Sequence, residues 1–177
     1  GIVPILKPLN EDFKPFFKSV VFVKNNDKIN SIKDLKAKRI ALPSEESFSG
    51  NWLIKYELLK YNLLEKDIKE IKNFAYHQNV IYQVLSGSFD AGVVKDRVIR
   101  EYNDRGIKII GFSEPVPGSP IVAAKDYDTD IINTIKSLLL KINLKETKYK
   151  ELVKSWDNEF TFGFVEAKDS DYDLIRK

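Results

Sequence analysis

Short apolar runs rich in β-branched residues, separated by polar breaks, recur along the chain. Runs of this kind are typical of buried strands and predict them at 19–24, 39–42, 70–75, 89–94, 107–112 and 121–124. Pro43 directly follows the second run and predicts its end, because proline has no N–H to donate to a ladder.

Between these runs, apolar residues recur at the three- and four-residue spacing of amphipathic helices. One series comprises Trp52, Tyr56, Leu59 and Leu63; another comprises Val80, Ile81, Val84 and Leu85, with Gly87 as its stop. Helices are also predicted at 31–36, 96–103, 129–142 with Thr129 as cap, 148–156 and 170–177. Strands alternating with such helices predict an α/β fold with a mostly parallel sheet covered on both faces.

Two extended crossings, near 19–26 and 115–124, are the predicted boundaries between structural regions. They indicate a chain that enters one lobe, completes it and returns. We therefore predict a leading segment with the first crossing strand at 1–24 and a complete α/β ligand-binding lobe at 25–118. Residues 119–177 would form the return crossing and the C-terminal helical part of another lobe.

Composition narrows the possible chemistry of this 177-residue chain. Cysteine is absent, which excludes disulfides and thiol nucleophiles. His77 is the single histidine, and a histidine-based zinc site would need carboxylates for its other ligands, so we expect neither a metal nor a cofactor. The 29 basic and 26 acidic residues are interspersed, without the basic stripe of a nucleic-acid-binding protein. The apolar runs fall short of the ~20 residues of a membrane span.

The segment Ser47-Phe48-Ser49-Gly50 lies where a polar loop opens a predicted helix. A helix N-terminus leaves up to four N–H groups without internal partners and carries about half a positive charge. With the two serine hydroxyls, and with Gly50 permitting close approach to the backbone, the segment suits a tetrahedral oxyanion. The alternative is that one serine simply caps the helix.

Two further residues are candidates for the same edge of the sheet, where ligands of open α/β sheets collect. His77 follows a predicted strand and would donate to an anion, or alternatively cap its own helix. Arg97 would clamp a second acidic group, or alternatively be solvated.

A hydrolase is the third possibility, because Ser49, His77 and Asp90 supply the residue types of a triad. The chain has no Gly-x-Ser-x-Gly elbow, however, and a serine in a capping loop is a poor nucleophile. Asp90 fits a structural hydrogen-bond partner better than a ligand. We therefore predict that the protein is not an enzyme.

Several segments taken in order resemble the phosphonate-binding, PhnD-like family of periplasmic solute-binding proteins. They are Phe17-Lys18-Ser19-Val20-Val21-Phe22-Val23, Ser47-Phe48-Ser49-Gly50, Tyr76-His77-Gln78, Leu85-Ser86-Gly87-Ser88-Phe89-Asp90-Ala91-Gly92 and Pro115-Val116-Pro117-Gly118-Ser119-Pro120. The resemblance implies a type II periplasmic-binding-protein fold, with one complete three-layer lobe and a partial second lobe. It also implies that the first half of that second lobe is missing from this chain.

Carried over by position, the family's ligand-binding residues become Ser47, Ser49, Gly50 and His77. Phe48 replaces the family's threonine, so either the ligand differs from a usual phosphonate or the ring fills a vestigial site. Two other positions depart from the family as well. Phe17 lacks a phenol hydroxyl, and Ser119 replaces an acidic residue, which disfavours an aminophosphonate.

The resemblance implies extracytoplasmic, periplasmic binding of a small oxyanion by the solute-binding component of an ABC transporter. Its partners would be the anion and a membrane permease. The same domain also serves as the ligand-sensing part of membrane-bound histidine kinases, where the partner is the receptor's own membrane-embedded signalling module. Both interpretations remain open at the level of the sequence.

Overall fold

The computed structural model describes residues 1–102 and 105–176. The chain divides into two compact units, one formed by Lys18–Glu114 and the other by Gly1–Phe17 together with Pro115–Lys177. No helix in the described ranges combines the length and apolar content that crossing a bilayer requires.

In chain order, the strands of the described residues are β1 (Ile2–Pro8), β2 (Phe16–Phe17), β3 (Ser19–Lys24), β4 (Arg39–Leu42), β5 (Glu70–Asn73), β6 (Ala91–Lys95), β7 (Ile107–Phe112), β8 (Val116–Pro117), β9 (Ile121–Ala124) and β10 (Phe164–Glu166). The α-helices are α1 (Leu53–Lys60), α2 (His77–Leu85), α3 (Asp96–Arg100), α4 (Thr129–Leu139), α5 (Thr147–Val153) and α6 (Asp173–Arg176). A π-helical turn (Phe48–Trp52) precedes α1, and 3₁₀ turns occur at Ile32–Leu35, Glu65–Asp67, Asn158–Phe160 and Asp169–Tyr172.

The unit Lys18–Glu114 is built on a five-stranded sheet of order β5-β4-β6-β3-β7. β4 is parallel to both β5 and β6, whereas β3 is antiparallel to both β6 and β7. The sheet is therefore mixed, and the prediction of a mostly parallel sheet needs this correction. β3 follows β2 after a single residue, with no helix between them, so no βαβ crossover imposes a parallel direction on it.

The alternation of side chains along β3 divides the core of this unit into two layers. Val20 and Phe22 pack on one face, in the cluster that includes Val80 of α2. Val21 and Val23 pack on the other face, in the cluster that includes Ile54 of α1. Both faces of the sheet are covered, and the unit has the three layers that the sequence predicted.

The packed face of α1 differs from the predicted one. Trp52 and Tyr56 belong to the series expected to be buried, yet they are 62% and 55% exposed. The buried face instead carries Leu53, Ile54, Glu57 and Leu58. Glu57 concealed this second series, because a carboxylate is rarely fully buried unless it has partners.

The other unit contains a three-stranded antiparallel sheet of order β10-β1-β9, and β2 pairs with β8. Its core cluster comprises Ile5, Leu6, Ile142, Val153 and Phe164. β1 escaped prediction because its sequence, IVPILKP, contains two prolines, which argue against a strand. The cap of α4 is Asp128 rather than Thr129, since the Asp128 carboxylate accepts hydrogen bonds from the N–H groups of Asp130 and Ile131.

The remaining element predictions are met within a few residues. β4 and β7 have the predicted bounds, and α2 ends before Gly87, whose φ of 81° is the left-handed conformation of a helix stop. The predicted helix 96–103 ends at Arg100, and its residue 103 lies outside the described residues, as does residue 177. The domain limits 1–24, 25–118 and 119–177 stay a prediction.

Candidate functional site

Three of the predicted ligand-binding segments lie at one edge of the five-stranded sheet. β5, β4 and β6 are adjacent and parallel, so their carboxyl ends meet at the same edge. The segment 47–50, which we call the serine loop, lies after β4. His77 opens α2 after β5, and Arg97 lies in α3, directly after β6. β3 is antiparallel to β6 with Ser19 opposite Lys95, which brings Ser19 to this edge as well.

Ser47 closes the turn at the start of the loop, because it accepts hydrogen bonds from two residues that follow it in the chain. Its Oγ accepts from the N–H of Gly50 at 3.1 Å, and its carbonyl accepts from the N–H of Asn51 at 2.9 Å. Ser47 therefore caps this turn, which was one of the two alternatives for the loop. Its half-buried hydroxyl retains a proton that it can donate.

Within the turn 47–51, the amides of Phe48 and Ser49 are the two backbone donors that no described residue accepts. Gly50 and Asn51 direct their N–H groups to Ser47, whereas within residues 1–102 and 105–176 the N–H groups of Phe48 and Ser49 have no protein acceptor. Two adjacent donors at the positive end of a continuous π–α helix are suited to a negatively charged oxygen.

Ser49 and Gly50 themselves are packed into the protein. Ser49 is only 1% exposed, its Oγ lies 3.4 Å from the Oγ of Ser47, and its carbonyl accepts the hydroxyl of Ser19 at 2.5 Å. A β-carbon on Gly50 would lie 1.8 Å from Cγ of Pro43. The glycine is thus required by its packing against Pro43, whereas the sequence had suggested that it admits a ligand.

Two asparagines that the sequence analysis missed fix the loop to the sheet edge. The side-chain amide of Asn73, the last residue of β5, donates to the carbonyl of Pro43 at 2.7 Å. The side-chain amide of Asn51 donates to the carbonyl of Glu45 at 3.0 Å. The sequence shows an asparagine at the end of a predicted strand and another at the start of a predicted helix, but it does not show their partners. The partner of Asn73 is 30 residues away, and that of Asn51 is adjacent only once the turn has formed.

Asp90, the candidate acid of a triad, is held by Arg39. Its carboxylate accepts the backbone N–H and the guanidinium of Arg39, each at 2.7 Å. The side-chain hydrogen bond from Arg39 is the main cause of the lowered pKa of Asp90. Asp90 is therefore a structural hydrogen-bond partner, as predicted, with both of its carboxylate oxygens engaged by Arg39.

Arg97 is half-buried in the first turn of α3, beside a carboxylate that could repel an anion. Burial raises the pKa of Asp96 even though its oxygens accept the N–H groups of Lys18 and Arg97, at 3.1 and 2.9 Å. These backbone donors hold the carboxylate against the main chain.

His77 is also half-buried, with its Nδ1 shielded from solvent.

The other two predicted ligand-binding residues belong to the second unit. Phe17 lies in β2, where it pairs with Val116, and exposed Ser119 donates its N–H to Glu159 Oε1 at 3.3 Å. Their place at the site stays a prediction. Among the residues that the structure describes, no group of three or more His, Cys, Asp or Glu side chains could hold a metal ion.

Comparison with solved structures identifies the fold. A binding protein component of an ABC phosphonate transporter from Pseudomonas aeruginosa aligns with a TM-score of 0.79 at 19% identity, over 99% of this chain and 60% of its own. PhnD1 from Prochlorococcus marinus, in complex with methylphosphonate, aligns with a TM-score of 0.80 at 24% identity, over 99% and 69%. A Xanthomonas citri protein bound to ATP aligns with a TM-score of 0.78 at 18% identity, over 99% and 68%.

At these identities the likeness shows the type II periplasmic-binding-protein fold that the sequence predicted. The chain spans 60% to 69% of the length of these three structures. The family itself follows from the sequence, since a family model described as "ABC transporter, phosphonate, periplasmic substrate-binding protein" matches residues 1–172. The chain belongs to the phosphonate family of ABC-transporter periplasmic substrate-binding proteins.

Proposed function

We propose that this chain binds a small oxyanion through the serine loop, as part of the solute-binding component of an ABC transporter. The observation that carries the proposal is the pair of adjacent amides on Phe48 and Ser49, which no described residue accepts, at the start of the π–α helix. The hydroxyl of Ser47 would add a third neutral donor next to them. His77 and Arg97, from the same sheet edge, would supply positive charge.

This donor set matches the chemistry of a tetrahedral oxyanion better than that of a carboxylate. Several neutral donors arranged around one charge can satisfy three oxygens at once. Among the relatives, the Prochlorococcus protein is solved with methylphosphonate and the Xanthomonas protein with ATP. Both ligands carry oxyanions of phosphorus, which supports the same ligand class here.

Phe48 gives the site a preference within that class. Its side chain is half-buried and offers a ring where the resemblance places a threonine hydroxyl. Compared with threonine, Phe48 offers one hydroxyl fewer to a ligand that has oxygen atoms on every side. A small ligand with an apolar substituent can instead place that substituent against the ring. We therefore expect methylphosphonate or phosphite to bind more tightly than inorganic phosphate.

The proposed role is extracytoplasmic binding without catalysis, with a membrane permease as the protein partner. Family membership supports this role, and the engagement of Asp90 by Arg39 removes the acid that a triad would use. The sensor-kinase interpretation stays a prediction, because both protein classes would use the same binding unit.

Isothermal titration calorimetry and thermal unfolding with methylphosphonate, phosphite, phosphate and sulfate test the proposal. At a hundred-fold excess over Kd, a binding anion should raise the free energy of unfolding by about 2.7 kcal/mol. Ser47→Ala should weaken binding, whereas Ser44→Ala, in the same loop but before the cap, should leave Kd unchanged. Absence of binding by all four anions to folded wild-type protein would contradict the proposal.

A further inference from the structure

Buried serines connect the loop to both ends of the unit Lys18–Glu114. Ser19 and Ser113 are 1% and 5% exposed, in a chain whose buried residues are nearly all apolar. A buried hydroxyl is costly unless it is hydrogen-bonded, so the partners of these two residues indicate what they do.

The partners form one continuous series, which we call the serine relay: Ser113, Ser19, Ser49 and Ser47. Ser113 Oγ accepts the N–H of Ser19 at 2.9 Å, and the Ser19 carbonyl accepts the N–H of Ser113 at the same distance. The hydroxyl of Ser19 donates to the Ser49 carbonyl at 2.5 Å. Ser49 Oγ lies 3.4 Å from Ser47 Oγ, which completes the series.

A second connection runs in parallel from the same end of the unit to α1. The N–H of Glu114 donates to the buried Glu57 carboxylate at 3.2 Å, and Lys60 Nζ donates to that carboxylate at 3.0 Å. The unit begins at Lys18 and ends at Glu114. Its first and last residues therefore adjoin the hydrogen bonds that hold the loop and the helix behind it.

We propose that Ser19 and Ser113 are positioning residues of the anion site. Ser19 fixes the Ser49 carbonyl and so orients the Ser49–Gly50 peptide plane, whose N–H donates to Ser47 Oγ and closes the turn. The turn that carries the unpaired amides of Phe48 and Ser49 is thereby held in place. Ser113 acts one step further away by holding Ser19. The inference rests on the proposed function for its consequence in binding, but not for its consequence in loop rigidity.

Two measurements on ligand-free and methylphosphonate-bound protein test the relay. Ser19→Ala should raise the hydrogen-exchange rates of the Gly50 and Asn51 amides about ten-fold without ligand, because the loop opens locally. It should weaken methylphosphonate binding about five- to ten-fold, the equivalent of one hydrogen bond. Ser113→Ala should have smaller effects in the same direction, since it reaches the loop only through Ser19.

Val20→Ala is the matched control, because Val20 neighbours Ser19 but its fully buried side chain packs on the opposite face. It should lower the melting temperature while leaving loop exchange and Kd unchanged. If Ser19→Ala behaves like this control, Ser19 is merely structural and the inference is overturned. A wild-type protein that binds no anion would contradict the proposed function instead, and the ligand-free exchange rates would still decide whether Ser19 holds the loop.

Discussion

Gly50 illustrates how close packing can impose a residue at a candidate site. The space that a side chain would need there is filled by the ring of Pro43, whose Cγ and Cδ would lie 1.8 and 2.4 Å from a β-carbon. Neither atom could remain in place beside an alanine. The sequence Leu42-Pro43 thus ends a strand and also determines what can follow further along the loop.

We expect Gly50→Ala to destabilise the protein by about 1–3 kcal/mol, the usual cost of overpacking a tight site. Urea denaturation followed by circular dichroism measures the change. Pro43→Ala removes the opposing ring atoms, so the double variant should recover part of the loss, and the cycle should report a coupling between the two positions. Strictly additive losses would show that the contact with Pro43 is not the reason for the glycine.

A second residue-scale prediction concerns Asp90 and pH. Its hydrogen bonds from Arg39 lower its pKa below the ordinary value of 3.8, so the ionised carboxylate stabilises the folded state. A depressed pKa means that this stability is present above pH 3.8 and is lost as pH falls through the folded-state pKa. Asp90→Asn should therefore cost about 1 kcal/mol at neutral pH, since the pair is only partly buried.

The difference in unfolding free energy between wild type and Asp90→Asn should shrink when denaturation is repeated well below the ordinary carboxyl pKa. Asp126→Asn, at an exposed position, is the control and should change stability little at either pH. A difference for Asp90→Asn that stayed constant on acidification would mean that its charge is not what Arg39 recognises.

Residue roles were predictable where they depend on near neighbours. The capping role of Ser47 follows from a serine before a helix, and it was one of the two alternatives drawn from the sequence. Ser19 and Asn73 were missed because their partners lie 30 residues away in each case. Only the sheet order brings such pairs together, and local pattern carries no information about it.

At the scale of elements, α1 shows that a periodicity can be correct while the buried face is wrong. Both the exposed series through Tyr56 and the buried series through Ile54 have helical spacing, because the two run along neighbouring stripes of one helix. The choice between them depends on which stripe meets the sheet. β1 was missed for a different reason, because its two prolines argue against a strand. The strand forms nevertheless, with a shift in its register against β9 just after Pro4 and with Pro8 at its end.

Paired substitutions in α1 test which stripe supports the fold. Ile54→Ala should cost about 2–5 kcal/mol, because Ile54 is 1% exposed and its loss leaves a cavity under the sheet. Leu59→Ala removes an equally large side chain from a position that is 52% exposed, and should change stability by no more than about 0.5 kcal/mol. Equal losses of unfolding free energy in urea denaturation would show that the exposed stripe packs in the core as the buried one does.

At the scale of the whole molecule, the two units differ in how they are assembled from the chain. One is the continuous stretch Lys18–Glu114, whereas the other combines Gly1–Phe17 with Pro115–Lys177. The continuous unit has apolar clusters on both faces of its sheet. In the discontinuous unit, α4 buries none of its residues fully, and Ile131, Ile135 and Leu138 are 46%, 38% and 59% exposed.

These differences predict that residues 18–114 fold on their own. Their first and last strands are neighbours, with Val20 opposite Phe112, so the ends of the stretch lie side by side and need no outside support. The isolated stretch should unfold cooperatively in urea and show dispersed amide resonances. A polypeptide joining 1–17 to 115–177 by a short linker is the comparison, and should unfold at lower denaturant concentration because its sheet has only three strands. If 18–114 instead lacked a cooperative transition, the stability of its two-faced core would depend on the other segments.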